Sequence, residues 1–167
     1  FSEIKNLTVL NTNLFASTGQ YGTFVSPNNG RSWKNAGIGL YGIVLSFVSS
    51  DTNIFAGATN GIFISTDVGV SWSQTSLKNR TGALAVSGMN IFAGTDSGIF
   101  FSTNQGTNWE QVNSGLKQTK YVYSLSSSGS NVFAGTDSGV FLSTNNGKKW
   151  SNIGLSGIRV RSFVVSE

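Results

Sequence analysis

Seven carboxylates are the whole acidic inventory of this 167-residue chain: Glu3, Asp51, Asp67, Asp96, Glu110, Asp137 and Glu167. Glycoside hydrolysis needs two of them facing one another across a sugar, about 5 to 10 Å apart according to mechanism. Asp96 and Asp137 are the one pair whose surroundings repeat, as Thr95-Asp-Ser-Gly98 and Thr136-Asp-Ser-Gly139. In that setting a carboxylate shapes a turn, so the pair reads first as structure and only second as an acid and a base. Histidine and cysteine are absent. That excludes imidazole bases, hydroxyl-imidazole-carboxylate triads, thiol nucleophiles, disulfides and the common zinc sites. Asp67, with Ser65 and Ser71 nearby, has oxygens suited to calcium, but one carboxylate is too few. No cofactor and no metal site is expected.

Basic residues gather in three segments, 76–81, 115–120 and 157–161, as Lys78, Arg80, Lys117, Lys120, Arg159 and Arg161. With Asp96 and Asp137 on the same side, Lys78, Arg80, Lys117 and Lys120 make a candidate ligand face for an acidic glycan or a partner's carboxylates. Scattered loop charge is ordinarily only solvated surface. Eleven basic against seven acidic residues give a net charge of +4, too dispersed for a nucleic-acid footprint. No run approaches 18 apolar residues and the chain opens on no basic, leucine-rich stretch, so neither a membrane span nor a signal peptide is expected within it. Charged residues make up 11%, under half the usual share, so Ser, Thr, Asn and Gln must wet the surface. Such a surface fits secretion, and the absence of cysteine permits either redox compartment.

The elements that would position these groups are four copies of one octet. Its fixed positions are Ser26, Asn28, Gly30 and Trp33; Ser65, Asp67, Gly69 and Trp72; Ser102, Asn104, Gly106 and Trp109; and Ser143, Asn145, Gly147 and Trp150. Successive tryptophans are 39, 37 and 41 residues apart, the length of one four-stranded sheet. Before each octet stands an apolar word, Asn13-Leu-Phe-Ala-Ser17, Asn53-Ile-Phe-Ala-Gly57, Asn90-Ile-Phe-Ala-Gly94 or Asn131-Val-Phe-Ala-Gly135. Apolar on both sides of the pleat, it predicts a central strand B. Gly-bearing turns lead into strand C at 22–25, 61–64, 98–101 and 139–142. Strand D carries the tryptophan, and strand A is expected at 43–49, 83–87 and 121–127. No stretch sustains a 3.6-residue period, so no helix is expected. The units are about 1–40, 41–79, 80–117 and 118–156, with a closing strand in 157–167, all in one domain.

Within the octet, glycine sits where a tight hairpin needs a residue without Cβ. The Asn or Asp two places earlier can accept backbone N–H bonds, and the indole is expected to fold beneath neighbouring strands. This pattern resembles the Asp-box, or BNR, repeat of sialidases, sortilin-type receptors, photosystem assembly factors and many secreted bacterial propellers. The resemblance covers all four units and implies a propeller rather than a reaction. Three of the four octets carry Asn where the family pattern has Asp. Sialidase activity would require three arginines on one carboxylate and an Arg-Ile-Pro opening. Arg31, Arg80, Arg159 and Arg161 are the only arginines, Arg31 lies inside an octet, and that opening is missing.

Four four-stranded blades need sixteen strands, yet the pattern supplies seventeen. Ile4, Leu7 and Val9 align with Val160, Phe163 and Val165, so strand A is present at both ends. If 160–165 returns to close blade one, residues 1–10 are freed, and an unpaired apolar strand recruits another chain. The expectation is therefore an all-β, four-bladed propeller with one extra terminal strand. It is read as secreted and non-catalytic, a structural or interaction module forming homo-oligomers or fibres by terminal strand exchange. The alternative is a carbohydrate-binding propeller, with Tyr41, Tyr121 and Tyr123 as the spare aromatics, or a fragment of a larger Asp-box glycosidase.

Overall fold

The computed structural model describes residues 3–10, 12–116, 119 and 121–165, and every regular element in it is a strand. Blade one comprises β1 (Ile4–Leu10), β2 (Asn13–Thr18), β3 (Thr23–Ser26) and β4 (Lys34–Asn35). Blade two comprises β5 (Val44–Ser50), β6 (Asn53–Ala58), β7 (Gly61–Ser65) and β8 (Ser73–Gln74). Blade three comprises β9 (Thr81–Ser87), β10 (Asn90–Thr95), β11 (Gly98–Ser102) and β12 (Glu110–Gln111). Blade four comprises β13 (Val122–Ser128), β14 (Asn131–Thr136), β15 (Gly139–Ser143) and β16 (Ser151–Gly154). Each is a four-stranded antiparallel sheet paired in chain order, and together they form a four-bladed propeller. The apolar words and Gly-led segments are strands B and C as expected. Strand D is only two residues long in three blades, because the octet uses the preceding chain for its loop.

The core lies between blades rather than within them. Strand B turns its phenylalanine towards the following blade and its branched aliphatic towards the preceding one. Phe15 thus packs with Val44, Phe47, Ile54 and Trp72 of blade two. Phe55 packs with Leu84 and Ile91 of blade three, and Phe92 with Val122, Val132 and Trp150 of blade four. These three rings are fully buried. Inner strands touch in sequence, β1 on β5, β5 on β9 and β9 on β13. No comparable packing joins β13 to β1 among the described residues, so four blades are held by three interblade cores.

Two expectations are corrected by this arrangement. No seventeenth strand forms among the described residues: β1 fills strand A of blade one, while 155–165 belongs to no sheet. Ile4–Leu10 is therefore not the displaced segment. Ile4, Leu7 and Val9 lie in β1, and Val160, Phe163 and Val165 lie on the irregular tail. Nor are all four indoles buried. Trp72 and Trp150 are 5% and 2% exposed and Trp109 is half-buried, but Trp33 is 41% exposed because no other blade packs on that face of blade one among the described residues.

The same asymmetry orders four equivalent substitutions. In dilute protein unfolded by urea, Phe15→Ala, Phe55→Ala and Phe92→Ala should each cost about 3 to 5 kcal/mol. Phe133→Ala, at the half-buried equivalent in blade four, should cost less than any of them. Equal costs would contradict the assignment of the cores.

Candidate functional site

Each octet closes through the same bonds. The serine hydroxyl donates to the Asn or Asp oxygen two residues on, at 3.0 Å for Ser26, 2.8 Å for Ser65, 3.1 Å for Ser102 and 3.0 Å for Ser143. It also accepts the glycine N–H four residues on, at 2.8 to 2.9 Å. The Asn or Asp oxygen then accepts the N–H of Ser32, Ser71, Asn108 or Lys149. Asn28, Asp67, Asn104 and Asn145 therefore do the same work, and the carboxylate of Asp67 is not required by the loop. Its second oxygen accepts the Ser71 hydroxyl at 2.5 Å, where the Asn28 amide instead donates to the Ser32 hydroxyl at 2.9 Å. The Ser71 hydroxyl and backbone N–H, with the Ser65 hydroxyl, hold the Asp67 carboxyl at about 2, below its ordinary 3.8.

Sequence reasoning placed the turn's strain on the glycines, but two consecutive residues are left-handed. Asn29, Val68, Gln105 and Asn146 have φ of 55 to 60°, followed by Gly30, Gly69, Gly106 and Gly147 at 76 to 85°. Val68 is β-branched in a conformation such residues rarely adopt. The glycines also admit the neighbouring blade: a Cβ on Gly69 would lie 2.6 Å from the Phe15 ring, and one on Gly106 or Gly147 3.0 Å from Phe55 or Phe92.

At the opposite end of strand C, the B–C turns are held by threonine rather than by aspartate. Thr95 and Thr136 hydroxyls donate to the carbonyls of Gly98 and Gly139 and accept from the backbone of Ser97 and Ser138. The Asp96 and Asp137 carboxylates accept from the adjoining Ser97 and Ser138 hydroxyls. The candidate ligand face is only partly brought together. Arg80 joins Lys5, Leu45, Gly82, Val122, Tyr123 and Arg161 around a central cavity of about 540 Å³. Lys78 is tied back to the Thr75 carbonyl, Asp96 and Asp137 do not line this cavity, and Lys117 and Lys120 lie outside the described residues. Arg80 and Arg161 come from the basic segments read in the sequence; Lys5 was not among them, because it reaches this cavity from β1, far away in the chain. Lys5 is also paired with Glu3. Beside the cavity Tyr121 stacks on Tyr123 at 6.1 Å, and the Arg159 guanidinium lies 5.6 Å from the Tyr123 ring. Tyr41 is instead engaged by Phe63 and Gln74.

The two ends of the blade stack are bare. On blade one, Ile4, Leu7, Ala16, Thr18, Phe24 and Trp33 line an apolar trough of about 400 Å³. Leu7 is 61% exposed, whereas its register equivalents Phe47 and Leu84 are 6% and 5%. On blade four, Phe133 is half-buried, and the buried Ser124 hydroxyl has no hydrogen-bond partner.

No protein-family model matches the chain, and no curated protein matches it. Among solved structures it is similar to an ancestral GH74 enzyme, with a TM-score of 0.78 and 23% identity over 90% of this chain and 24% of that one. It is also similar to the extracellular domain of a hybrid two component system from B. thetaiotaomicron (0.74, 16%, 92% and 22%). A third likeness is to YCF48 from Cyanidioschyzon merolae (0.67, 16%, 90% and 55%). These likenesses show the propeller fold. The chain spans about a quarter of the first two proteins and about half of the third.

The lowered Asp67 value fixes a pH dependence. A carboxylate depressed in the folded state adds stability that is fully present above its unfolded value near 3.8 and is lost as pH falls through about 2. Asp67 is exposed, so Asp67→Asn should cost under about 1 kcal/mol at pH 7. Thermal melts should show that difference shrinking between pH 4 and 2; a gap that widens on acidification would contradict it.

Proposed function

We propose that this chain is an extracellular, non-catalytic propeller of the Asp-box type that works by association, first of all with copies of itself. The observation that carries the reading is the bare apolar end of blade one, where Leu7, Val9 and Trp33 are 61%, 63% and 41% exposed. Contiguous exposed apolar surface of this kind is a mark of an interaction site. The chain's low charge and its likeness to an extracellular domain support the compartment, and the four octets support the Asp-box assignment. Asp96 and Asp137 are read as turn residues rather than as an acid and base. The likeness to about a quarter of a GH74 enzyme supports an alternative, in which the blades are part of a larger glycosidase.

One observation favours a second reading, an acidic glycan held beside the central cavity. Tyr121, 44% exposed and stacked on Tyr123, offers a sugar platform, and Arg80, Arg159 and Arg161 offer the charge. Arginine matches carboxylate and sulfate oxygens by bidentate bonding.

Sedimentation velocity over a hundredfold concentration range tests the first reading. A shift from one chain to assemblies as concentration rises is expected, and a strict monomer throughout would overturn it. For the second, calorimetric titration with a uronate oligosaccharide should show binding that Tyr121→Ala weakens at least about tenfold, the scale of one lost stacking contact. Equal affinity of both proteins, or no heat at all, would remove it.

A further inference from the structure

We propose that the two bare ends are the halves of one contact: a second copy of this chain seats its blade one on blade four of the first, head to tail. The proposal rests on the self-association reading above and assigns it a partner surface and a register.

Register within the chain supplies the argument. In each internal contact, the strand B phenylalanine of one blade lies under the octet glycine of the next, as Phe15 under Gly69, Phe55 under Gly106 and Phe92 under Gly147. Phe133 is the ring without a glycine, and Gly30 is the glycine without a ring. Only Leu14 and Trp33 of its own blade come within 4 Å of a Cβ built on Gly30. The trough in front of Trp33 is the empty counterpart of the space that Phe15 fills beside Trp72.

A polar atom tells the same story. Ser46 in blade two accepts the backbone N–H of Leu84 at the start of blade three, at 3.1 Å. Ser124 holds the same register place in blade four, opposite Gly135 as Ser46 is opposite Gly57, and its buried hydroxyl lacks a partner. The residue equivalent to Leu84 on an incoming blade one is Leu7, whose N–H would complete the bond. A buried acceptor left unmade carries its full desolvation cost, so the end of blade four is poised for a strand A.

The chain's own tail starts towards that place. Val160 donates its N–H to the Thr136 carbonyl at 2.8 Å and packs over Gly135. Beyond it no backbone hydrogen bond ties the tail among the described residues, and Val164 is 90% exposed. The incoming β1 carries a full ladder to β2, so the tail is the strand that yields. The contact is heterologous, with a different face on each copy, and it repeats until the copies close a ring.

Because the chain has no cysteine, two can be introduced cleanly. Asn53 and Gln105 are hydrogen-bonded across the contact between blades two and three at 3.4 Å. Asn131 and Asn29 are their equivalents at the two bare ends. With a short bismaleimide, the Asn29→Cys, Asn131→Cys protein should join chains covalently, as the Asn53→Cys, Gln105→Cys control should close within one chain. Adding Phe133→Asp should cut the joined fraction at least about tenfold, the effect of losing a central interface anchor. Trp33→Gln, on a surface residue that leaves the fold intact, should do the same. Truncation after Val160 should raise the yield.

An unjoined bare-end pair beside a closed control would overturn the contact, as would a yield indifferent to both Phe133→Asp and Trp33→Gln. A yield that falls on truncation would also overturn it, since the tail would then be the donated strand. If such protein still assembles in the centrifuge, association stands and this contact alone fails; if it sediments only as single chains, both fail.

Discussion

The fold depends on a phenyl ring lying where a side chain would otherwise be. Strand B projects its phenylalanine out of one blade, and the octet of the next blade receives it over a left-handed glycine that has no Cβ to obstruct it. Two of the indoles add a bond across the same seam. Trp72 donates its ring N–H to Ala36 in blade one at 2.7 Å, and Trp150 to Val112 in blade three at 2.8 Å. Trp109 turns back to its own Gly106 instead, at 3.1 Å. One loop therefore closes its own hairpin, accepts a neighbour's ring and places a large apolar side chain into the seam. The hydrophobic area that stabilises each blade is mostly contributed by another blade, as expected where a repeat cannot bury its faces alone.

Such a contact has a direction. A blade presents a ring forwards and a glycine backwards, so a row of identical blades ends with one of each unsatisfied. Phe133 and Gly30 are chemically the same residues as their buried counterparts, and their exposure is a property of position in the row. The same holds for Leu7 against Leu84 and for Trp33 against Trp72. The inner faces are consumed by the fold, and the apolar area left exposed lies on the two outer blade faces.

Much of this was legible in the sequence, because local patterns repeat four times. The words at Asn53 and Asn90 are strands since β-branched and aromatic residues alternate there without a polar break, and the octet bonds of Ser65 and Asp67 follow from side chains that reach only two to four residues. Three things were not legible. Val68 looks unlike a left-handed residue, and only the shared loop geometry forces it there. Lys5, Arg80 and Arg161 converge from segments far apart in the chain, which no local pattern encodes. Finally, Ile4–Leu10 and residues 160–165 carry interchangeable strand A patterns, yet only the first forms a ladder. β2 follows β1 almost at once, so that pairing closes a very short loop, whereas the tail would have to close one of about 150 residues at a far larger entropic cost.

The comparison of Gly69→Ala with Gly30→Ala tests the seam most directly. Both glycines sit in the same loop at nearly the same dihedral, φ +85° and +82°, so the backbone strain of adding a methyl group is common to both. Only Gly69 has a neighbour's ring in the way, 2.6 Å from the added carbon, against 3.7 Å to the nearest atom at Gly30. Urea unfolding of dilute protein should show Gly69→Ala costing more by at least about 1 kcal/mol, the lower bound for overpacking a buried contact. Equal losses at the two positions would mean that the ring-on-glycine seam does not hold the blades together.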